Sequence, residues 1–331
     1  MKTLNQYNRL QEATLLLLNC GDEPGLMKLA IDQMYEVFIN FSPVDVLDLN
    51  DEEINLPSGK AISPSMAAQC LLDFKRTTKF IRGINEAIKQ KLEEKLHPVQ
   101  ILYAGCGPFA TLITPLLTIY NKQVTVDLLD INDVSLSSAR SVLSGLNLNE
   151  SIKHFLHEDA SQCKVENDYD IIISETMQAG LKSEPQVAIM QNFSQQMKPY
   201  AIFIPEEIIV EAKLNTLGIW NEKMLRIENE DRIYGGVVLK VNRHTINDVL
   251  KKNTINLLNP TDELMELKFY TSIKIFKNEF LTEGDSGLNS PLKMMELNKC
   301  MKVELECNYT QTYPASILTS VSVTNKLVDI F

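Results

Sequence analysis

Val99-Gln100-Ile101-Leu102-Tyr103-Ala104-Gly105-Cys106-Gly107-Pro108-Phe109-Ala110 passes from a short, mostly apolar run into a glycine-rich turn. A run of that length bounded by turn residues has the pattern of a strand covered on both faces, as in a parallel sheet. Val124–Leu129, Ile152–Leu156, Asp170–Ser174 and Ala201–Ile204 carry the same signature downstream. Helical spacing separates them, clearest at Ser135–Leu146 and Pro185–Met197. Strand and helix in alternation imply an α/β fold built on a doubly wound, Rossmann-like parallel sheet. Pro115 falls where the first crossover helix should continue, so that helix is expected to start late or to kink.

Upstream, residues 1–60 are expected to form a helical, peripheral segment. Pro24 can open a helix carrying Leu26, Leu29, Ile31, Met34, Val37 and Phe38. The polar stretch Asp51–Gly59 is the first expected linker. Ser63 and Pro64 cap and open a further helix with an apolar stripe at Ile81, Ile84, Ile88 and Leu92, ended by His97-Pro98. Downstream of Pro205 the alternation stops. Ile208–Leu214, Gly236–Val241, Leu267–Phe276 and Met301–Tyr309 are expected strands, with turn material at Glu283–Pro291. Three parts result: 1–60 helical, 61–205 carrying the sheet, and 206–331 as a β-rich C-terminal domain.

Apolar residues make up 44% of the 331 and charged residues 23%, an ordinary balance for a globular protein. The net charge of −11 argues against a nucleic-acid or anionic-membrane binder and suits a cationic substrate. Cysteines at 20, 70, 106, 163, 300 and 307 form no C-x-x-C pair, so neither a metal site nor a disulfide framework is expected. Cys300 and Cys307 could pair only by accident of the fold. The apolar run Ala13–Leu18 is too short for a membrane span or a secretory signal, and the cytoplasm is the expected compartment.

Gly105, Cys106 and Gly107 follow a strand, and Asp130 closes the next one, where a carboxylate can accept both hydroxyls of a ribose. A ligand reading and an ordinary strand-to-helix turn both fit the two glycines alone. Gly105, Gly107 and Ala110 also match G-x-G-x-x-A with Asp130 at the dinucleotide spacing, which keeps an NAD-dependent oxidoreductase open. Against it stand Asp159-Ala160 after the third strand, where an adenine amino group could be read, and Glu175 at the end of the fourth. The histidines at 97, 154, 157 and 244 have no hydride-transfer context.

At these residues, over about 67–205, the chain resembles class I S-adenosylmethionine-dependent methyltransferases, and within them the protein arginine methyltransferase branch. Leu71-Leu72-Asp73-Phe74-Lys75-Arg76-Thr77 is similar to the helix that precedes the sheet in that branch, which implies that Arg76 grips the cofactor carboxylate. Asp130 and Asp159 match the ribose and adenine positions. Ser174-Glu175-Thr176-Met177-Gln178-Ala179-Gly180-Leu181-Lys182-Ser183-Glu184 is similar to the double-glutamate loop, whose acids hold a guanidinium. The chain departs from the branch at Tyr103, Phe109, Thr176 and Gln178, and it has no Thr-His-Trp loop.

Glu175 and Glu184 are thus the candidate catalytic pair, and S-adenosyl-L-methionine the expected cofactor. Two acids close together repel, so one is expected to stay protonated until a cation arrives. The expected acceptor is a cationic small molecule or peptide, and the resemblance leaves a homodimer open. Alternatives are a methyltransferase for another small metabolite, in which the glutamates are structural, and a cofactor-binding scaffold without activity.

Overall fold

The computed structural model describes residues 2–48, 52–94, 98–165, 168–216, 219–220, 226–227, 232–259, 264–298 and 301–325. Asp51, His97 and Cys300 lie outside them. Two helices open the chain, α1 (Lys2–Asn19) and α2 (Pro24–Ile39). Pro24 occupies the first turn of α2, where its missing N–H leaves no bond unmade. These helices are not peripheral. Leu10, Ala13, Leu17, Ala30, Ile31, Met34, Val37 and Phe38 are fully buried, and Phe38 meets Phe109 of the glycine turn at 5.4 Å between ring centroids. A buried phenylalanine of this kind is worth about 3–5 kcal/mol against truncation. The helices are fastened by long-range polar contacts that local spacing does not announce. Tyr7 Oη donates to the Thr118 carbonyl at 3.0 Å, and the guanidinium of Arg82 donates to the Leu17 and Gly21 carbonyls at the end of α1.

The expected linker instead contains a hairpin, β1 (Ile54–Leu56) with β2 (Gly59–Ala61), so the expected boundary at 60/61 falls inside one unit. Ser63 caps α3 (Pro64–Gln69) as expected, its hydroxyl accepting the Met66 N–H. The spacing predicts one helix from there to residue 97, but the chain breaks. A single 3₁₀ turn at Cys70–Leu72 leads to Asp73, and α4 (Phe74–Glu94) starts anew. Asp73 is outside helical geometry, and its carboxylate accepts the Arg76 N–H at 3.4 Å. The break aims the first turn of α4 at the sheet's crevice.

Next come β3 (Val99–Ala104), α5 (Thr114–Tyr120), β4 (Val124–Asp130), α6 (Asp133–Gly145), β5 (Ile152–His157), β6 (Ile171–Ser174), α7 (Gln186–Gln196) and β7 (Ile202–Ile204). The five strands form one parallel sheet in the order β5-β4-β3-β6-β7. Each coincides with an expected strand to within a residue or so. Pro115 lies in the first turn of α5, which does start late. Strand order reverses between β3 and β6, and a doubly wound sheet opens its ligand crevice at such a reversal.

The chain then becomes antiparallel through β8 (Glu207–Thr216), β9 (Ile219–Trp220), β10 (Arg226–Ile227), β11 (Arg232–Asn242), β12 (Asn253–Leu258), β13 (Met265–Phe276), β14 (Glu279–Leu281), β15 (Leu292–Leu297), β16 (Met301–Thr310) and β17 (Ser316–Asn325). One sheet runs β11-β8-β13-β14 with β15 also on β13, and another runs β12-β16-β17. All four strands expected here are present, and the fold is α/β with a β-rich C-terminal region. Gly83 lets α4 approach β13 closely, because a Cβ there would sit 2.5 Å from Ile275 Cγ2. Buried apolar residues of the helices, the parallel sheet and the C-terminal strands form one continuous cluster. No helix among the described residues is long and apolar enough to cross a membrane.

Candidate active site

The turn after β3 takes left-handed backbone at Gly105 (φ 69°) and Gly107 (φ 65°). A Cβ at Gly105 would lie 2.3 Å from Thr176 Cγ2, so the turn nests against the residue beside Glu175. The N–H groups of Gly105 and Cys106 both donate to the Leu129 carbonyl, at 2.8 and 3.2 Å. Asp130 closes the arrangement: Oδ2 accepts from Gly107 N at 2.8 Å and Oδ1 from Asn132 N at 2.9 Å. Burial pushes its carboxyl above the ordinary carboxylate range, and those backbone N–H groups oppose the rise. Each oxygen keeps a lone pair for a further donor. Burial, and then the charge of Asp130, push the Cys106 thiol well up, which makes it an inert packing group rather than a nucleophile.

Asp159, after β5, is held in a turn. Its Oδ1 accepts from Ser161 N (2.9 Å) and Ser161 Oγ (2.7 Å), and Oδ2 from Gln162 Nε2 (3.1 Å).

Glu175 is the first residue past β6. The loop that follows is pinned from the C-terminal sheets: Gly180 N donates to Thr271 Oγ1 at 2.9 Å and Tyr309 Oη to the Leu181 carbonyl at 2.8 Å. The hairpin grips the loop's far end, where Lys60 N donates to the Ser183 carbonyl at 2.8 Å. Glu184 is buried, and burial raises its carboxyl above the ordinary 4.5 despite nearby Arg76, a hydrogen bond from Gln178 and nearby Lys60. Mutual repulsion between the two acids is therefore not the leading cause, contrary to expectation. Glu175 already has a cation, because Arg76 Nη2 is ion-paired with its Oε2. The other oxygen, Oε1, is buried with no hydrogen-bond partner among the described residues. Arg76 was expected on a cofactor carboxylate, and in this structure it faces Glu175.

Arg76, Gly105, Cys106, Gly107, Asp130, Asp159, Ala160, Glu175 and Glu184 all line one cavity of about 480 Å³. Residues that the sequence did not mark as part of the site line it too. Tyr103 lies in its floor, Lys60 comes from the hairpin, and Gly287, Leu288 and Ser290 come from the C-terminal turn. That turn is anchored by Ser286 Oγ donating to Asp73 Oδ2 at 2.6 Å, a pair 213 positions apart. The only signal for it was turn composition at Glu283–Pro291.

No protein-family model matches the sequence, and none of the curated proteins does. Among solved structures, a chain of the Trypanosoma brucei PRMT1 enzyme-prozyme heterotetrameric complex with AdoHcy is similar. The TM-score is 0.57 and the identity 14%, over 80% of this chain and 94% of that one. The present chain thus has the fold of a PRMT1 structure, the branch its sequence resembles.

Proposed function

We propose that this protein is an S-adenosylmethionine-dependent methyltransferase acting on a cationic nitrogen, in an amine or a guanidine, held by Glu175 and Glu184. One observation carries the proposal. Two half-buried or buried carboxylates at the sheet's switch point share a cavity with a glycine turn and a strand-end aspartate. The residues fit an adenosyl cofactor. The volume suits a ligand of that size, the Gly105–Gly107 turn lines the cavity without side chains at either glycine, and Asp130 keeps acceptor capacity toward a diol. The similar PRMT1 complex holds AdoHcy, and we extend that ligand to this chain.

When bound, the cofactor supplies a methyl group on a sulfonium, open to in-line displacement. The protein's share is positioning and electrostatics. Glu184 and Glu175 would hold the acceptor cation with its reacting nitrogen toward the methyl, and a carboxylate there would take the proton whose loss gives that nitrogen the lone pair for attack. The dinucleotide alternative fares worse, because that fingerprint sets a helix N-terminus directly on the pyrophosphate, whereas here α5 does not begin until Thr114. The division at 205/206, cytoplasmic residence and oligomerisation also stand as proposals, the last prompted by the heterotetramer named for the similar structure.

The test is methyl transfer from S-adenosylmethionine to a panel of amines, guanidines and basic peptides. We expect turnover on a cationic acceptor and a loss of roughly 100-fold or more in Glu184→Gln, comparable to removing one preorganised electrostatic group. AdoHcy affinity should be retained in that variant. Cofactor binding without turnover on any acceptor would favour the inactive scaffold, and normal turnover by Glu184→Gln would reduce the glutamate to a helix-start residue.

A further inference from the structure

We propose that Gln186 is a positioning residue that sets Glu175 against Glu184, an inference resting on the acceptor role proposed above. The last sheet pairs of β6 are Ser174 with Ala104 and Ile173 with Ile204, so Glu175 leaves the sheet with no strand neighbour to orient its backbone. The Gln186 side chain takes over that task. Its Oε1 accepts from Thr176 N at 2.9 Å, Thr176 Oγ1 at 3.1 Å and Ser174 Oγ at 3.3 Å, gripping the residues on both sides of Glu175. Gln186 itself is the first residue of α7 and lies two positions beyond Glu184, with only Pro185 between. It is fully buried, so its amide has nowhere else to turn. One neutral oxygen therefore ties the backbone of one acid to the chain that carries the other.

The choice of side chain supports a functional demand. Gln186 Nε2 is buried with no hydrogen-bond partner among the described residues. An orphaned donor of that kind is a liability, and methionine or leucine would remove it only by taking the acceptor away from Thr176 N, Thr176 Oγ1 and Ser174 Oγ. A glutamate would supply the same acceptors but would bring a third negative charge beside the pair. Glutamine alone among these offers acceptor geometry without charge.

The experiment is calorimetric titration of the full chain with AdoHcy, then with methylguanidine in the presence of AdoHcy, for wild type and for Gln186→Met. We expect Gln186→Met to keep AdoHcy affinity within about twofold and to lose about tenfold in methylguanidine affinity, the effect of one weakened charge-assisted hydrogen bond. Its melting temperature should fall by a few degrees, because the Thr176 N–H loses its acceptor. A purely structural role would lower both affinities together, and that result overturns the proposal, as does an unchanged methylguanidine affinity. Thr176→Val, which removes the hydroxyl's bonds to Gln186 and Ser174 but keeps the backbone bond from Thr176 N, is the fallback if Gln186→Met does not fold. A smaller selective loss for methylguanidine is expected there, and no loss counts against the proposal. Failure of wild type to bind AdoHcy would instead refute the cofactor reading, and wild type binding AdoHcy but not methylguanidine would refute the acceptor class.

Discussion

The two halves of the cavity solve opposite problems. Around Gly105 the N–H groups of Gly105, Cys106 and Gly107 all find acceptors on the next strand. Gly105 N and Cys106 N meet Leu129 O, and both oxygens of Asp130 meet backbone N–H groups. That half is finished before any ligand enters. Around Glu175 and Glu184 the polar groups are short of partners. Glu175 Oε1 and Gln186 Nε2 have none among the described residues. A fold stabilised for its own sake would place apolar side chains there. Preorganisation on one side and unmet polar demand on the other is what a site for two different ligands requires. On the proposed function the first would be a neutral diol read by a fixed acid, and the second a cation that completes an acid pair.

The sharpest way to break this contrast is to remove the internal cation. Arg76→Ala leaves the Glu175 carboxylate buried without a counter-charge, and we expect a loss of about 3 kcal/mol in stability, read as a drop of several degrees in melting temperature. Adding Glu175→Gln to that variant should recover most of the loss, because the orphaned charge goes with it. If Arg76→Ala melts like wild type, the ion pair contributes nothing and the second half is not under electrostatic strain.

The finished half predicts a different phenotype. Asp130→Ala should weaken AdoHcy binding by about 1–3 kcal/mol, the cost of removing hydrogen bonds to a charged group, with no change in the acid pair's preference for cations. Unchanged AdoHcy affinity would show that Asp130 serves only to close the turn through Gly107 and Asn132.

The smallest effect concerns pH. Burial raises the Glu184 carboxyl above 4.5 on folding. A group raised in this way favours the folded state at low pH, and that advantage is lost as pH rises through the raised value. Ligand-free Glu184→Gln should therefore melt above wild type at about pH 8, with the gap closing as pH falls toward the ordinary carboxylate range. A gap that is constant with pH would mean Glu184 is not penalised by burial.

How much of this was legible in the sequence follows the same division. The five parallel strands were readable because each is short, apolar and bounded by turn residues, and Gly105, Gly107 and Asp130 were readable because strand and turn fix their spacing locally. The break at Asp73 was not. Its cause is a side-chain bond to Arg76 N and a partner at Ser286, and the second lies far along the chain. The hairpin at Ile54–Ala61 was masked by polar composition, since it is held by Ser183 and by Pro57 accepting from Tyr313 N rather than by an apolar face. The N-terminal helices were legible as helices but not as core, because Phe38 finds its partner at Phe109 only in three dimensions. Arg76 shows the limit most clearly. Its residue type and its neighbourhood were readable, but which carboxylate it faces depends on the turn of α4 and the exit of β6 together.

The most direct test is calorimetric titration of the wild-type protein with AdoHcy, set beside NAD. One molecule of AdoHcy should bind per chain, with no measurable NAD binding. Binding of NAD without AdoHcy would contradict the assignment of the Gly105–Asp130 crevice and everything derived from it.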